Sequence, residues 1–415
     1  MTRLAAVDAQ FFWRSAKIPS DQFLLYAFAG EPGDLAEILA GLRARAAACD
    51  DLRLRIADDR AARYPRWAHG DVDETQFVAR TPGLDWTGCL DDVARMADDQ
   101  VDPTRAAWRL HVFPSVRGAP RTDSTVTVAV LQMAHALADG TRGADLAAWL
   151  FGREGPVAPI APGPRGSLLL RGVAAARAHR QLVADTVAGT VPAPVGPRPA
   201  LLTNAAPKGP RRIRTLLRGR DELTAAGTTV TVAALAAIGA ALAGYLSERG
   251  DDPSRLAAEV PMANSGIRYA HNHFHNVGVD LYPDAAPHER ADRIARELRD
   301  ARVRGAHPAM LAESRSLAAI PAPLLRWGMT KFDPTARAPA VTGNTVVSSV
   351  NRGPADLRFG AAPVLLTAGY PALSPMMGLT HGVHGIGDTV AVSVHAAESA
   401  VAIDDYIARL DAALG

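Results

Sequence analysis

Two cysteines, Cys49 and Cys89, stand alone in a chain of 415 residues without a CxxC spacing. That excludes a disulfide framework and a zinc knuckle, and makes a reducing, cytoplasmic compartment the expectation. Lysine is almost absent, and the formal net charge is +2 because 45 Lys and Arg nearly balance 43 Asp and Glu. A phosphate-binding surface shows as clustered cations, so nucleic acid is not an expected partner. The opening Met1-Thr2-Arg3-Leu4-Ala5-Ala6-Val7-Asp8 meets a carboxylate before an apolar run of signal-peptide length can form, so no secretion signal is expected. Arg or His is read as interrupting each apolar stretch short of the roughly 18 to 20 residues that cross a bilayer, which leaves peripheral membrane contact at most. A Gly-rich phosphate loop is missing too, and with it the reason to expect a nucleotide fold.

What is present fits two domains, since the length exceeds one ordinary core of about 150 to 200 residues. Residues 22–29 read as a strand ended by Gly30-Glu31-Pro32-Gly33, and Asp34 as the N-cap of a helix with Leu35, Ile38, Leu39 and Leu42 on one side. Strands are expected at 107–114 and 124–133; the second alternates Thr and Val before turning wholly apolar, as on entering an interior. A helix over 141–150 follows. Prolines crowd 156–164 and 192–199, so 156–211 is taken as an interdomain connection between an N-terminal unit, 1–155, and a C-terminal unit, 212–415. Inside the connection, Leu168 to Val187 is helical in pattern, with Arg171, Arg177, His179 and Arg180 among leucines, valines and alanines. It reads as an amphipathic connecting helix in preference to a membrane-surface one. Further strands are expected at 213–217, 256–262, 273–281, 343–350, 363–369 and 389–396, and helices at 231–248, 287–304 and 404–414. Such a mixture without strict βαβ alternation points to an α+β fold of two mixed sheet-and-helix domains.

One segment carries chemistry: His135-Ala136-Leu137-Ala138-Asp139-Gly140, placed after an apolar strand and before a helix. A histidine of pKa about 6.5 is largely neutral at pH 7 and can take the proton of an attacking hydroxyl or amine. Asp139 is better suited to an ion pair with an arginine that fixes the loop, and Gly140 to a backbone geometry closed to other residues. On the residues alone, a buried histidine capping a turn stays open as the alternative. His271, His273 and His275 alternate along an expected strand, but three in a row reach too far for tetrahedral zinc without a fourth ligand. No metal site is expected; a polar strand face lining the interdomain cleft is preferred. His381 and His384, around Gly382, are further candidates to line that cleft but read in preference as turn histidines, and Trp108 and Trp149 as packing residues. A search for a covalent nucleophile finds no Gly-x-Ser-x-Gly elbow and no partner motif beside either cysteine.

The chain resembles the bacterial wax ester synthase and diacylglycerol acyltransferase family, within the coenzyme A-dependent acyltransferase superfamily that includes condensation domains. Leu4-Ala5-Ala6-Val7-Asp8-Ala9-Gln10-Phe11-Phe12 is similar to the family's opening Leu-x-x-x-Asp-Ala-x-Phe run, which begins the first strand region. Ala107-Trp108-Arg109-Leu110-His111-Val112 resembles its Pro-Leu-Trp segment, and the His-His-x3-Asp-Gly signature falls on Ala134, His135, Asp139 and Gly140. Asn272-His273-Phe274 through Leu281 resembles a strand that begins Gly-Asn, and Ser348-Ser349-Val350-Asn351-Arg352-Gly353-Pro354 a Ser-Asn-Val-Pro-Gly-Pro turn.

The resemblance implies two domains in a V, like chloramphenicol acetyltransferase and condensation domains, with the histidine at their interface. It implies an acyltransferase that needs no cofactor beyond its substrate, an acyl-coenzyme A or acyl-carrier thioester, and forms no acyl-enzyme. His135 would deprotonate a small-molecule alcohol or amine acceptor, with an acyl carrier protein as a candidate partner. Ser348, Ser349 and Asn272 are candidates for the oxyanion site or cleft. Three departures stand out: the first histidine of the pair is Ala134, an Asn-Asp pair at the start of the long helix is Thr231-Val232, and the later Asn is Ser349. They fit a relative with changed substrates, in natural-product or lipid biosynthesis, and equally a non-catalytic member that binds an acyl thioester or a carrier protein.

Overall fold

A computed structural model of the chain describes residues 2–163, 167–225 and 227–415; Met1 of the opening segment and Pro164 of the first proline run lie outside them. Two six-stranded mixed sheets form the body. The first runs Arg358–Phe359, Ala362–Gly369, Gln22–Ala29, Val126–Met133, Trp108–Val116, Phe77–Ala79. The second runs Phe274–Asp280, Ala257–Ala263, Thr345–Asn351, Leu379–Ile386, Thr389–Ala397, Arg211–Gly219.

Local chemistry sets most of these elements. All eight residues of Val126–Met133 are buried, which is why its alternation fades into a run that is apolar but for Gln132, whose amide donates to Asp21. Helix Leu35–Ala47 starts where the Asp34 side chain accepts from the Glu37 N–H, and helix Gly140–Leu150 where Asp139 accepts from Arg142 N–H. Thr229 caps helix Val230–Ser247 in the same way. That helix corrects the expectation about apolar runs: its 18 residues carry no charge and have a mean hydropathy of 1.8, enough by length and composition for a bilayer. Leu235, Ile238, Leu242, Tyr245 and Leu246 are instead buried in the core of the second half, with Leu298, Tyr406 and Leu410.

Pairing crosses the expected division of the chain. Ala362–Gly369, deep in the second half by sequence, runs antiparallel to Gln22–Ala29, matching Tyr26 with Thr367 and Leu25 with Ala368. One apolar cluster accordingly joins Leu25, Ala27, Phe113 and Val130 of the first half to Ile213, Tyr370 and Ala391 of the second.

The segment around His381 and His384 is a strand, Leu379–Ile386, buried at every position, and not a turn. Its glycines mislead a reading based on turn chemistry, because they serve close approach: a Cβ on Gly382 would run into the Gly369 carbonyl oxygen. His381 joins Thr345 Oγ1 and the Tyr406 hydroxyl, each at 2.8 Å.

Gly382→Ala is expected to cost about 3 kcal/mol in chemical denaturation, because the obstructing atom is backbone and cannot yield as a side chain would. Gly172→Ala, within helix Leu168–Val187 and with nothing inside 4 Å of the added carbon, is expected to stabilise by about 0.5 kcal/mol.

Candidate active site

The His135 loop follows a rigid support. Strand Val126–Met133 ends, Ala134 N–H donates to the Ala107 carbonyl, and a tight turn closes through Leu137 N–H to the Ala134 carbonyl. His135 therefore emerges at a fixed point, with its imidazole stacked on Phe11 at 4.0 Å between centroids and 4° between planes.

The polar contacts of that imidazole decide its chemistry. Asn272 Nδ2 donates to the Asp8 carboxylate at 3.0 Å and to the His135 carbonyl at 2.8 Å. With the amide nitrogen committed to two acceptors, Oδ1 must be the atom that meets His135 Nδ1 at 2.9 Å, and an acceptor there requires the proton on Nδ1. The lone pair is left on Nε2, which has no hydrogen-bond partner among the described residues and is not sealed from solvent. Burial lowers the His135 pKa to about 4 and Arg14 adds to this, against the opposing pull of its own backbone carbonyl and Asn272. The ring is thus neutral across the physiological range.

Asp8 supports Asn272 from below. It is fully buried on helix Ala6–Ser15, and accepts from the backbone N–H groups of His271 and Asn272, both at 2.9 Å, as well as from the Asn272 amide. Burial pushes its pKa up to about 7 despite those donors. Neither Asp8 nor Phe11 was singled out as functional from sequence, although both stand in the opening run that resembles the family's; position in that run was the available signal.

Asp139 ties the same loop to residues 268–273. Its Oδ2 takes Arg268 Nη1 at 2.8 Å and His273 N–H at 2.9 Å, while Oδ1 takes Arg142 N–H at 2.9 Å. Burial alone would raise the Asp139 pKa; Arg268 and those N–H groups outweigh it and hold the carboxyl below its usual range. His271 adds a bond from Nδ1 to the Leu137 carbonyl at 2.7 Å. Gly140 does not act as expected. It is the first helical residue with no left-handed backbone, and its lack of a Cβ leaves room for Val350, whose Cγ2 would come within 3.2 Å of one.

The other candidates separate. Ser348 shares a strand face with Val350 and so looks toward the Gly140 end of the His135 loop. Ser349 is on the opposite face, with Val347, and its hydroxyl lies 2.8 Å from that of Thr231. The cleft-lining histidine row is not one face: the strand begins at Phe274, so His271 and His273 precede it, and His275 binds Asn264 Oδ1 at 2.7 Å.

No protein-family model and no curated protein sequence matches the chain. Solved structures do. The wax ester synthase/diacylglycerol acyltransferase from Marinobacter aquaeolei VT8 superposes with a TM-score of 0.64 at 20% identity, over 100% of this chain and 98% of that one. The first condensation domain of the CDA synthetase gives 0.60 at 14% identity, over 100% and 94%. The starter condensation domain of rhizomide synthetase, solved as a mutant in complex with C8-CoA and Leu-SNAC, gives 0.59 at 14%, over 100% and 92%. The chain therefore has the α+β fold of two mixed sheet-and-helix halves that its sequence led one to expect, that of wax ester synthases and condensation domains.

Asp139→Ala is expected to cost about 3 kcal/mol at pH 7, since Arg268 would keep a largely buried charge without its partner. A carboxyl with a depressed pKa stabilises the fold above its unfolded value and loses that contribution as pH falls through the folded one. The gap in melting temperature between wild type and variant should accordingly narrow on acidification.

Proposed function

We propose that this protein moves an acyl group from a coenzyme A or carrier-protein thioester to a hydroxyl or amine, by direct attack with His135 as general base. The observation that carries the reading is the fixed tautomer: a neutral imidazole with its free lone pair on Nε2, accessible at the end of a rigid strand. The fold supports it, because the similar structures include an acyltransferase and a condensation domain holding C8-CoA.

In the proposed reaction the acceptor proton passes to His135 Nε2 as the acceptor oxygen or nitrogen bonds to the thioester carbonyl carbon. The tetrahedral intermediate carries its charge on the former carbonyl oxygen, and Ser348 is the hydroxyl proposed to face it. Collapse breaks the carbon–sulfur bond, and the proton held on Nε2 leaves with the thiolate, so no group on the protein changes. Asn272 acts as a positioning residue through the tautomer. Ala134, buried where the related signature has its first histidine, offers no polar group to the step.

His135→Ala is expected to lower acceptor-dependent thiol release from acyl-coenzyme A or acyl-carrier thioesters by about 10² to 10⁴ without unfolding the chain. Undiminished release in that variant would remove the proposal, as would wild-type protein that binds thioester and releases no thiol with any acceptor. Asn272→Ala should lower kcat by about 10² with little change in KM, because the ring remains but its tautomer is no longer held. The acid limb of kcat/KM in the wild type should fall well below pH 6, since the base is protonated only near its lowered pKa of about 4.

A further inference from the structure

We propose that the face built by helix Leu168–Val187 and residues 308–332 docks on an anionic lipid surface. Of the thirteen large apolar side chains exposed among the described residues, ten lie on these two segments. On the helix, Leu169, Val173, Ala176, Arg180, Val183 and Val187 follow one another at steps of four, three, four, three and four, which sets them in one stripe along its length. Every member of that stripe is exposed, and the buried side of the helix is the opposite one, through Leu182, against helix Pro308–Leu317. The ordinary arrangement of a surface helix is thus reversed on this face: it presents apolar side chains to solvent. Leu311, Leu324, Trp327 and Phe332 of the second segment are exposed as well.

Charge selects the occupant. The two segments carry six cations, Arg171, Arg177, Arg180, Arg315, Arg326 and Lys331, against two carboxylates, Asp185 and Glu313; Arg326 is paired with Asp58 at 2.7 Å and Arg171 donates to the Arg315 carbonyl, so the charge that counts is that of Arg177, Arg180, Arg315 and Lys331. Asp185 is turned inward, 3.2 Å from His307 and 2.8 Å from Gln181. A basic amphipathic helix with leucine and valine on its exposed stripe lies in the interface of an anionic bilayer, its apolar side chains among the acyl chains and its arginines at the phosphates. At about 1.5 Å per residue the stripe is nearly 30 Å long, which a flat surface covers more readily than one partner helix does. A cavity of about 1170 Å³ is walled by both segments, through Arg171, Leu311, Arg315 and Ile320, and reaches back to Asp8 and His271 behind the base. Docking would put the outer wall of that cavity at the lipid.

The test is co-sedimentation of the full chain with phosphatidylcholine vesicles, with and without phosphatidylglycerol. Binding is expected only with phosphatidylglycerol, and to weaken as salt is raised. Leu169→Glu with Val173→Glu should lower the partition coefficient by about tenfold or more, and so should Arg177→Glu with Arg180→Glu, which leaves Leu169, Val173, Ala176, Val183 and Val187 in place. All four side chains are exposed, so both variants should melt as wild type does. Failure to sediment with either vesicle would overturn the proposal, as would equal binding by wild type and both variants. It would also be overturned if the vesicles stayed unbound while the same substitutions dissociated a dimer of this chain or released an acidic carrier protein.

Discussion

The primary amide of Asn272 is the constraint on which the rest of the site depends. An asparagine has one acceptor oxygen and one donor nitrogen, and here a backbone carbonyl, which can only accept, fixes which is which: the His135 carbonyl and Asp8 take the nitrogen, and the oxygen is left for the imidazole nitrogen. A histidine in water divides its proton between two nitrogens; this one cannot. Holding Asp8 in the interior is costly, as its pKa of about 7 records, and three N–H donors offset part of that cost. A buried carboxylate held for no gain would be expected to give way to an apolar residue of similar size.

The site belongs to both halves of the chain. His135 and Asp139 come from the first, while Arg268, Asn272 and His273 come from a loop of the second. The halves are registered by the strand Ala362–Gly369 pairing across the division and by backbone approach at Gly369 and Gly382. The departures from the resembling family also look different in three dimensions. Thr231 and Ser349, two of the replaced positions, lie 2.8 Å apart and hydrogen-bond to each other.

Much of the fold was legible in the sequence because it rests on local chemistry. The N-caps at Asp34 and the apolar run into Met133 are read from a few neighbouring residues, and helix Leu168–Val187 was placed with the ends that the structure has. Less legible were elements whose residues answer to distant partners. Leu379–Ile386 looked like a glycine-rich turn because the reason for Gly382 is the carbonyl of Gly369. The opening run, expected to begin a strand region, is helix Ala6–Ser15 instead; the helix has no side-chain cap to signal it and buries only Ala6, Asp8 and Ala9. His135 and Asp139 could be chosen by type and spacing, but Asp8 could not: a carboxylate near the start of a chain is ordinary until it is seen under an asparagine more than 260 residues later. The exposed stripe of the connecting helix was hidden for a related reason, as periodicity shows that a helix has two faces and not which of them is covered.

The most direct measurement of the central claim is the ¹⁵N spectrum of the His135 ring at neutral pH, assigned by comparison with His135→Ala. The account requires a neutral imidazole with the proton on Nδ1 and a pyridine-like Nε2, converting to a mixture of tautomers in Asn272→Ala. A proton on Nε2 in the wild type, or a tautomer indifferent to the loss of Asn272, would contradict it.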